Sequence, residues 1–396
     1  MSFLDRIKSA IFGKSDAISE AATPRSIAPV VPPATITELA LRSMFPKKHL
    51  EAEPFYIDEV VELDCNTVQI RGWAFQDANL APELQLGRFK VNGKLPLSID
   101  YPQPRPDVQN VFWQRENAIL SGFTLTAPLE YPGGVLELSC ACSLNSKAAK
   151  GCESWYLPDQ NLHQNLPDAE RRFRVIGNRE ASGFLKLGAS DAFRLKSAYE
   201  NAAGKSWRDV SAVLDWGVGC GRVARHLSPM LGKRLFGCDI DSDNVAWCSA
   251  NLVGTFKVCT LEPPLPFDDD SFDVIYGVSV FTHLRAEWEA KWLKELHRVL
   301  KPSGVLMVTV HGQTAVDFAN LNPETYAALT ERIETEGLAV TGPNNQLDGF
   351  VPHPEEYLNV FHSQAYIQKV WGEFFQDIHQ LPGYIFTHDL VVATKR

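Results

Sequence analysis

Lysine and arginine nowhere gather into a stripe in this sequence, and 48 acidic residues outnumber 38 basic ones for a net charge of −10. Phosphate backbones are bound by clustered basic side chains, so nucleic acid is excluded as a substrate class. Paired Cys-x-x-Cys spacing is also missing. The eight cysteines stand at 65, 140, 142, 152, 220, 238, 248 and 259, and Cys140 and Cys142 show the alternation of a strand rather than the spacing of a metal knuckle. No metal is therefore expected, and the thiols are expected to be reduced and packed, as in a cytoplasmic protein. The opening segment MSFLDRIKSAIFGK lacks the apolar stretch and small-residue cleavage site of a targeting signal. Phe3, Leu4, Ile7, Ile11 and Phe12 share one helical face, but Asp5 and Lys8 interrupt it, and the segment is too short and polar to span a bilayer. It reads as an amphipathic helix that lies on the protein itself, on a partner or on a membrane surface.

What the sequence does hold is apolar residues at 45%, enough for well-packed cores, over 396 residues, a length that suits two or three domains. Residues 13–36 are rich in Ala, Pro and Ser and read as a linker, so 1–36 form a terminal helix and linker. From about residue 54 the period is two: VVELDCNTVQIRGWAF is long and strand-like, GRFKVNGKLPL carries an Asn92-Gly93 hairpin turn, and ILSGFTLTAPL and GGVLELSCACSL alternate. Residues 37–150 are expected to form an all-β sandwich of immunoglobulin-like character. Residues 151–205 return to mixed charge and helical spacing, and 206–396 alternate strands with helices.

The densest signal is VLDWGVGCGRVARHL, Val213 to Leu227, a buried strand that runs into a glycine turn and then an amphipathic helix. Gly217, Gly219 and Gly221 leave side chains out where a ligand must lie against backbone. A dinucleotide fingerprint needs G-x-G-x-x-G, and here Arg222 stands where the third glycine would be, which disfavours an NAD-dependent oxidoreductase. RLFGCDID follows as a second strand ending in Asp239, about 20 residues on, where an acid can take the two ribose hydroxyls of a nucleoside. LPFDDDSFDVIYGVSVFTHL gives an acidic turn and an apolar strand from Phe272 to Val280. EWEAKWLKELHRVLKPSG is an amphipathic helix with Trp288, Trp292, Leu296 and Val299 on one face, stopped by Pro302 and Gly304, and GVLMVTVHG is the next buried strand.

With this order of motifs, Ser211 to Gly312 resembles the class I S-adenosylmethionine-dependent methyltransferases. The resemblance implies a doubly wound α/β, Rossmann-like sheet of seven strands whose last hairpin is antiparallel, and a 151–205 segment that covers the cofactor cleft. It implies S-adenosylmethionine as cofactor, held by Asp215, Gly217, Gly219, Gly221 and Asp239. Many members place an adenine-binding acid where this chain has Leu261. Glu262, one step later, or a backbone group then serves adenine, while Glu262 reads equally as a solvated loop acid. The set of RGWAF, RPDV at Arg105–Val108 and SGF at Ser121–Phe123 is similar to a small β domain attached to bacterial glycan-related transferases. It suggests a substrate-docking or oligomerising module, or else a packing domain without a ligand.

A sulfonium already activates its methyl group, so the protein must chiefly align the acceptor and exclude water, and take a proton from a hydroxyl acceptor. His311, just after the fifth strand, is the first candidate for general base or substrate contact, followed by His362 and Tyr357 beside a polar lid loop at Thr341–Tyr357; His283 reads as a cap on the following helix. The expected function is methyl transfer to a small-molecule or saccharide acceptor oxygen. The alternative is a non-catalytic binding or scaffold protein that keeps the fold.

Overall fold

The computed structural model describes residues 55–396 apart from 65–66, 77–80, 92–93, 114, 116, 129–135, 141–152, 157–164, 320, 344–357 and 386. The terminal helix and linker expected over 1–36, and Tyr357, lie outside the described residues.

The first unit is antiparallel. β1 (Phe55–Asp64) pairs antiparallel with β2 (Thr67–Ala74), so the stretch that reads as one long strand is two paired strands. β3 (Phe89–Val91), β4 (Ser98–Pro104), a short helix α1 (Pro106–Val111), β5 (Leu120–Pro128), β6 (Leu136–Cys140) and β7 (Glu153–Tyr156) follow. They form two sheets, ordered β1-β2-β5-β4 and β3-β6-β7. In β2 the side chains of Val68 and Ile70 are buried while Arg71 is exposed, the period of two that marks a half-buried strand. Both sheets feed one core: Ile57, Val68, Ile70, Phe123 and Leu125 from the first meet Phe89 and Val91 from the second. Val91 and Lys94 exchange backbone hydrogen bonds of 2.8 and 3.0 Å across 92–93, where the sequence reads an Asn-Gly turn. β7 pairs with β6 and so carries this unit past residue 150, into the stretch read as a helical connector.

Two helices lead into the second unit. α2 (Ala169–Ile176) is capped by Asp168, whose carboxylate accepts from Arg171 N–H at 2.9 Å, and is closed by Gly177 in the left-handed conformation; α3 (Ala181–Ala203) ends the same way at Gly204. The chain then alternates β8 (Val213–Trp216), α4 (Ala224–Leu231), β9 (Leu235–Asp239), α5 (Ser242–Asn251), β10 (Thr255–Val258), β11 (Phe272–Gly277), α6 (Ala286–Val299) and β12 (Leu300–Val310). α7 (Gln313–Phe318), α8 (Pro323–Glu336), a two-stranded ribbon of β13 (Leu338–Pro343) and β14 (Leu358–His362), α9 (Gln364–Val370), β15 (Phe375–Ile385) and β16 (His388–Lys395) complete it.

The seven-stranded sheet runs β10-β9-β8-β11-β12-β16-β15, parallel except for β16, which is antiparallel to both of its neighbours. This is the Rossmann-like sheet with its closing antiparallel hairpin. Central strands are buried on both faces, so β8 and β11 are almost wholly apolar. Strand order reverses at β8, which puts a crevice at the carboxyl ends of β8 and β11.

Two boundaries depart from the sequence reading. α6 ends at Val299, ahead of Pro302, and passes straight into β12; Phe272 pairs with Leu300 and Val274 with Val305, so the residues around Pro302 bulge from the ladder. β11 stops at Gly277 rather than Val280, because Ser279 holds φ at +63°.

The β unit is seated on the helices after β12. Trp73, Phe75, Val108 and Phe112 share a buried cluster with Val316, Phe318, Leu329 and Phe361, and the ring centroids of Phe112 and Phe318 are 4.6 Å apart, edge to face.

Candidate functional site

The loop after β8 is built by glycines in a conformation that a side chain would resist. Gly217, Gly219 and Gly221 hold φ at +81°, +52° and +75°. A Cβ at Gly217 would lie 2.6 Å from Val280 Cγ2, and one at Gly221 2.6 Å from Leu252 Cδ1. Gly217 and Val218 donate backbone N–H groups to the Cys238 carbonyl at 2.9 and 3.0 Å, tying the loop to β9. Gly219 N–H donates to Asp239 Oδ2 at 2.7 Å, while Asp239 Oδ1 accepts from Asp241 N–H at 2.9 Å. The five residues read as cofactor-binding, Asp215, Gly217, Gly219, Gly221 and Asp239, therefore converge on one crevice.

The two acids differ. Asp215 is 4% exposed and accepts from the Tyr276 hydroxyl at 2.8 Å; burial pushes its carboxyl up to about 7, against the opposing pull of that hydrogen bond and of Arg222. Burial also raises Asp239, which backbone donors partly offset. Arg222, in the place of a third glycine, sends Nη1 to Asp191 Oδ2 at 2.5 Å and so binds the loop to α3.

α2 lies across the loop. A Cβ at Gly219 would meet Val175 Cγ2 at 3.0 Å. Arg171 pairs with Asp168 and, at 2.8 Å, with Asp243, and Arg174 comes within 3.3 Å of Asp241. Since Asp241 also caps α5 through Asp243 and Asn244, these pairs clamp α2 to the element that follows Asp239.

Glu262 stands apart. It is exposed, with Lys291 Nζ at 3.9 Å, while the Leu261 carbonyl accepts the Trp292 indole N–H at 3.2 Å. His311 and His362 are each 1% exposed. His311 stacks near His388 and Phe361, at centroid distances of 4.8 and 5.0 Å, and desolvation with its histidine neighbours holds its pKa well below the ordinary imidazole value. His362 Nε2 is paired with Glu289 Oε2 at 2.8 Å, and Glu289 also accepts the Trp371 N–H at 2.6 Å. Both imidazoles are buried among packed side chains, a placement that strand-end position in the sequence does not reveal. Sequence reasoning did not single out Ser279, Tyr276 or His388; Ser279 carries a signal only in its backbone angle. Among the described residues no group of three or more His, Cys, Asp or Glu side chains is placed to hold a metal, and Cys220, Cys238, Cys248 and Cys259 are free thiols.

Residues 214–308 match a family model described as a methyltransferase domain. They form a methyltransferase domain, and S-adenosylmethionine is its cofactor. The chain is 29% identical over 102 residues to the phosphoethanolamine N-methyltransferase of Plasmodium falciparum, a match that covers 25% of this chain and 38% of that protein. It is 28% identical over 123 residues to the demethylmenaquinone methyltransferase of Chlorobaculum tepidum (30% of this chain, 49% of that one). It is 32% identical over 146 residues to the mitochondrial arginine-hydroxylase NDUFAF5 of Danio rerio (36% and 40%). The chain thus spans less than half the length of these curated relatives. A solved structure of magnesium protoporphyrin IX methyltransferase from Synechocystis PCC 6803 with bound SAH is 16% identical, covering 60% of this chain and all of that one at a TM-score of 0.38.

The residues present fit the cofactor. The cradle is one that Cβ atoms would fill, and Asp239, held by backbone donors, keeps lone-pair capacity for hydroxyls.

Proposed function

We propose that the whole chain is an S-adenosylmethionine-dependent O-methyltransferase acting on a saccharide or other small hydroxylated acceptor. The observation that carries this reading is the crevice at the strand-order reversal, where three left-handed glycines and Asp239 meet. When bound, the cofactor supplies an electrophilic methyl group. The chain's own residues then have three tasks. The loop backbone at 217–221 and Asp239 hold the nucleoside, α2 closes over it, and the carboxyl ends of β11 and β12 receive the acceptor. His311, packed against His388 and Phe361, and His362, engaged by Glu289, enter as the inner wall of the acceptor side, and Tyr357 belongs to the loop read from the sequence as a lid.

The saccharide class is supported by the resemblance of residues 71–75, 105–108 and 121–123 to a domain attached to glycan-related transferases, and by the shared core of the two small sheets, which suits a sandwich. One of the similar relatives is named an arginine-hydroxylase, so similarity at this level leaves the reaction open. The alternative, a non-catalytic binding or scaffold protein, draws on the burial of His311 and His362. Calorimetric titration with S-adenosylmethionine, beside NAD and an Asp239→Ala variant, separates the readings. Micromolar binding that the variant loses, together with transfer of a labelled methyl group to one of a panel of methyl glycosides, is the expected result. Absence of binding by the parent would sink the enzyme reading.

A further inference from the structure

The turn after β11 holds polar side chains to which the reading above gives no task. Ser279 keeps φ at +63°, a conformation that a residue with a Cβ adopts where its surroundings impose it, most often at functional sites. Its N–H donates to Thr309 Oγ1 of β12 at 2.7 Å, which fixes the turn. Its hydroxyl oxygen lies 3.2 Å from Thr282 Oγ1 and 3.4 Å from His283 Nε2. His283 Nδ1 lies 2.7 Å from the Leu358 carbonyl at the start of β14. A carbonyl can only accept, so Nδ1 carries the proton and Nε2 turns its lone pair toward Ser279.

Hydroxyl, imidazole and an orienting acceptor in series form the arrangement by which a base is aimed through a hydroxyl. Exposure divides the labour: His283 is buried, at 4%, whereas Ser279 is part-exposed at the crevice. The next residue, Val280, is the one whose methyl group closes on Gly217, so the pair stands beside the cofactor loop. His311 from the end of β12 faces His283 at a centroid distance of 6.3 Å, and burial, with smaller contributions from the neighbouring His283 and Arg222, lowers His388 of β16 to about 3. Burial pushes His283 down to about 4, leaving it neutral at physiological pH.

We infer that Ser279 and His283 form a proton relay that takes the acceptor's hydroxyl proton during methyl transfer. The inference rests on the methyltransferase reading. Ser279 Oγ accepts the acceptor proton as its own passes to His283 Nε2. The acceptor oxygen bonds to the methyl carbon, and the carbon–sulfur bond breaks with its electron pair left on sulfur. His283, now an imidazolium with Nδ1 still on the Leu358 carbonyl, returns its proton to water. Ser279 is thus a catalytic residue, and His283 acts through it.

Ser279→Gly removes the hydroxyl while suiting the left-handed backbone, and His283→Gln removes the base. With a methyl glycoside that accepts label from the parent, each variant is expected to lose about 10²-fold in kcat, the usual worth of a general base, while KM and the S-adenosylmethionine Kd hold. The parent kcat stays flat between pH 6 and 8, and that of Ser279→Gly climbs with pH. Turnover within about threefold of the parent in either variant would overturn the relay. Nitrogen-15 NMR of the histidine side chains tests it without an acceptor. A bare Nε2 at His283 whose resonance moves in Ser279→Gly supports the relay, and a protonated or unmoved Nε2 overturns it. A parent that fails to bind S-adenosylmethionine sinks the methyltransferase reading instead, so the two failures are distinct.

Discussion

Asp215 illustrates how a single residue was readable in type but not in state. Its place at a strand end before three glycines marks it as part of a cofactor loop, yet only the fold shows its carboxylate under the Tyr276 hydroxyl and nearly free of water. Burial raises its pKa to about 7, above the roughly 3.9 of an unfolded aspartate, so the protonated form favours the fold. That contribution is complete below about pH 4 and is lost as pH rises through 7. Asp215→Asn keeps an acceptor for Tyr276 without the charge. Its stability relative to the parent should therefore grow from pH 5 to pH 8, by on the order of 1–3 kcal/mol. Urea unfolding at the two pH values checks this, and an unchanging gap would show that the carboxylate is relieved in some other way. Ser279 is the opposite case: nothing in Val-Ser-Val announces a left-handed residue, because that angle is set by Thr309 on another strand.

Among elements, those with a strong local period were legible. The glycine loop, β8, β9 and the apolar face of α6 fall where the apolar runs, glycines and helical spacing put them. The pairing of β1 with β2 was not legible, since Asp-Cys-Asn carries neither Gly nor Pro to mark a fold-back. α2 was legible as helix but not as a clamp, because Arg171 and Arg174 find Asp243 and Asp241 about 70 positions away. Each such half-exposed pair stabilises by about 1 kcal/mol or less and weakens with salt. Arg171→Ala combined with Arg174→Ala should loosen S-adenosylmethionine binding several-fold at low salt, with the difference shrinking near 1 M salt. Calorimetry at two ionic strengths is the measurement, and equal Kd values in parent and variant at low salt would show that α2 closes without its ion pairs.

At the scale of the whole molecule, the β unit and the methyltransferase domain share a core rather than a linker. The three sequence patterns that mark the β unit have a common structural use. Arg105 joins Asp58 at 2.7 Å and Asp107 at 2.6 Å, a Cβ at Gly122 would meet the Arg105 side chain at 2.9 Å, and Trp73 and Phe75 point into the cluster with Phe112 and Phe318. Truncating a buried aromatic costs about 3–5 kcal/mol. Trp73→Ala should lower the unfolding temperature of both units in one transition. A calorimetric trace with a second, unshifted transition would show that they are energetically separate. Sequence periodicity could not foresee this joint, because its partners lie more than 200 residues apart.

The same joint bears on how the chain is made. Synthesis runs from the amino end, so Trp73, Phe75 and Phe112 leave the ribosome well before Phe318, Leu329 and Phe361 exist to cover them. For that interval the nascent β unit presents an uncovered aromatic face, and its burial waits until the last third of the chain has been translated.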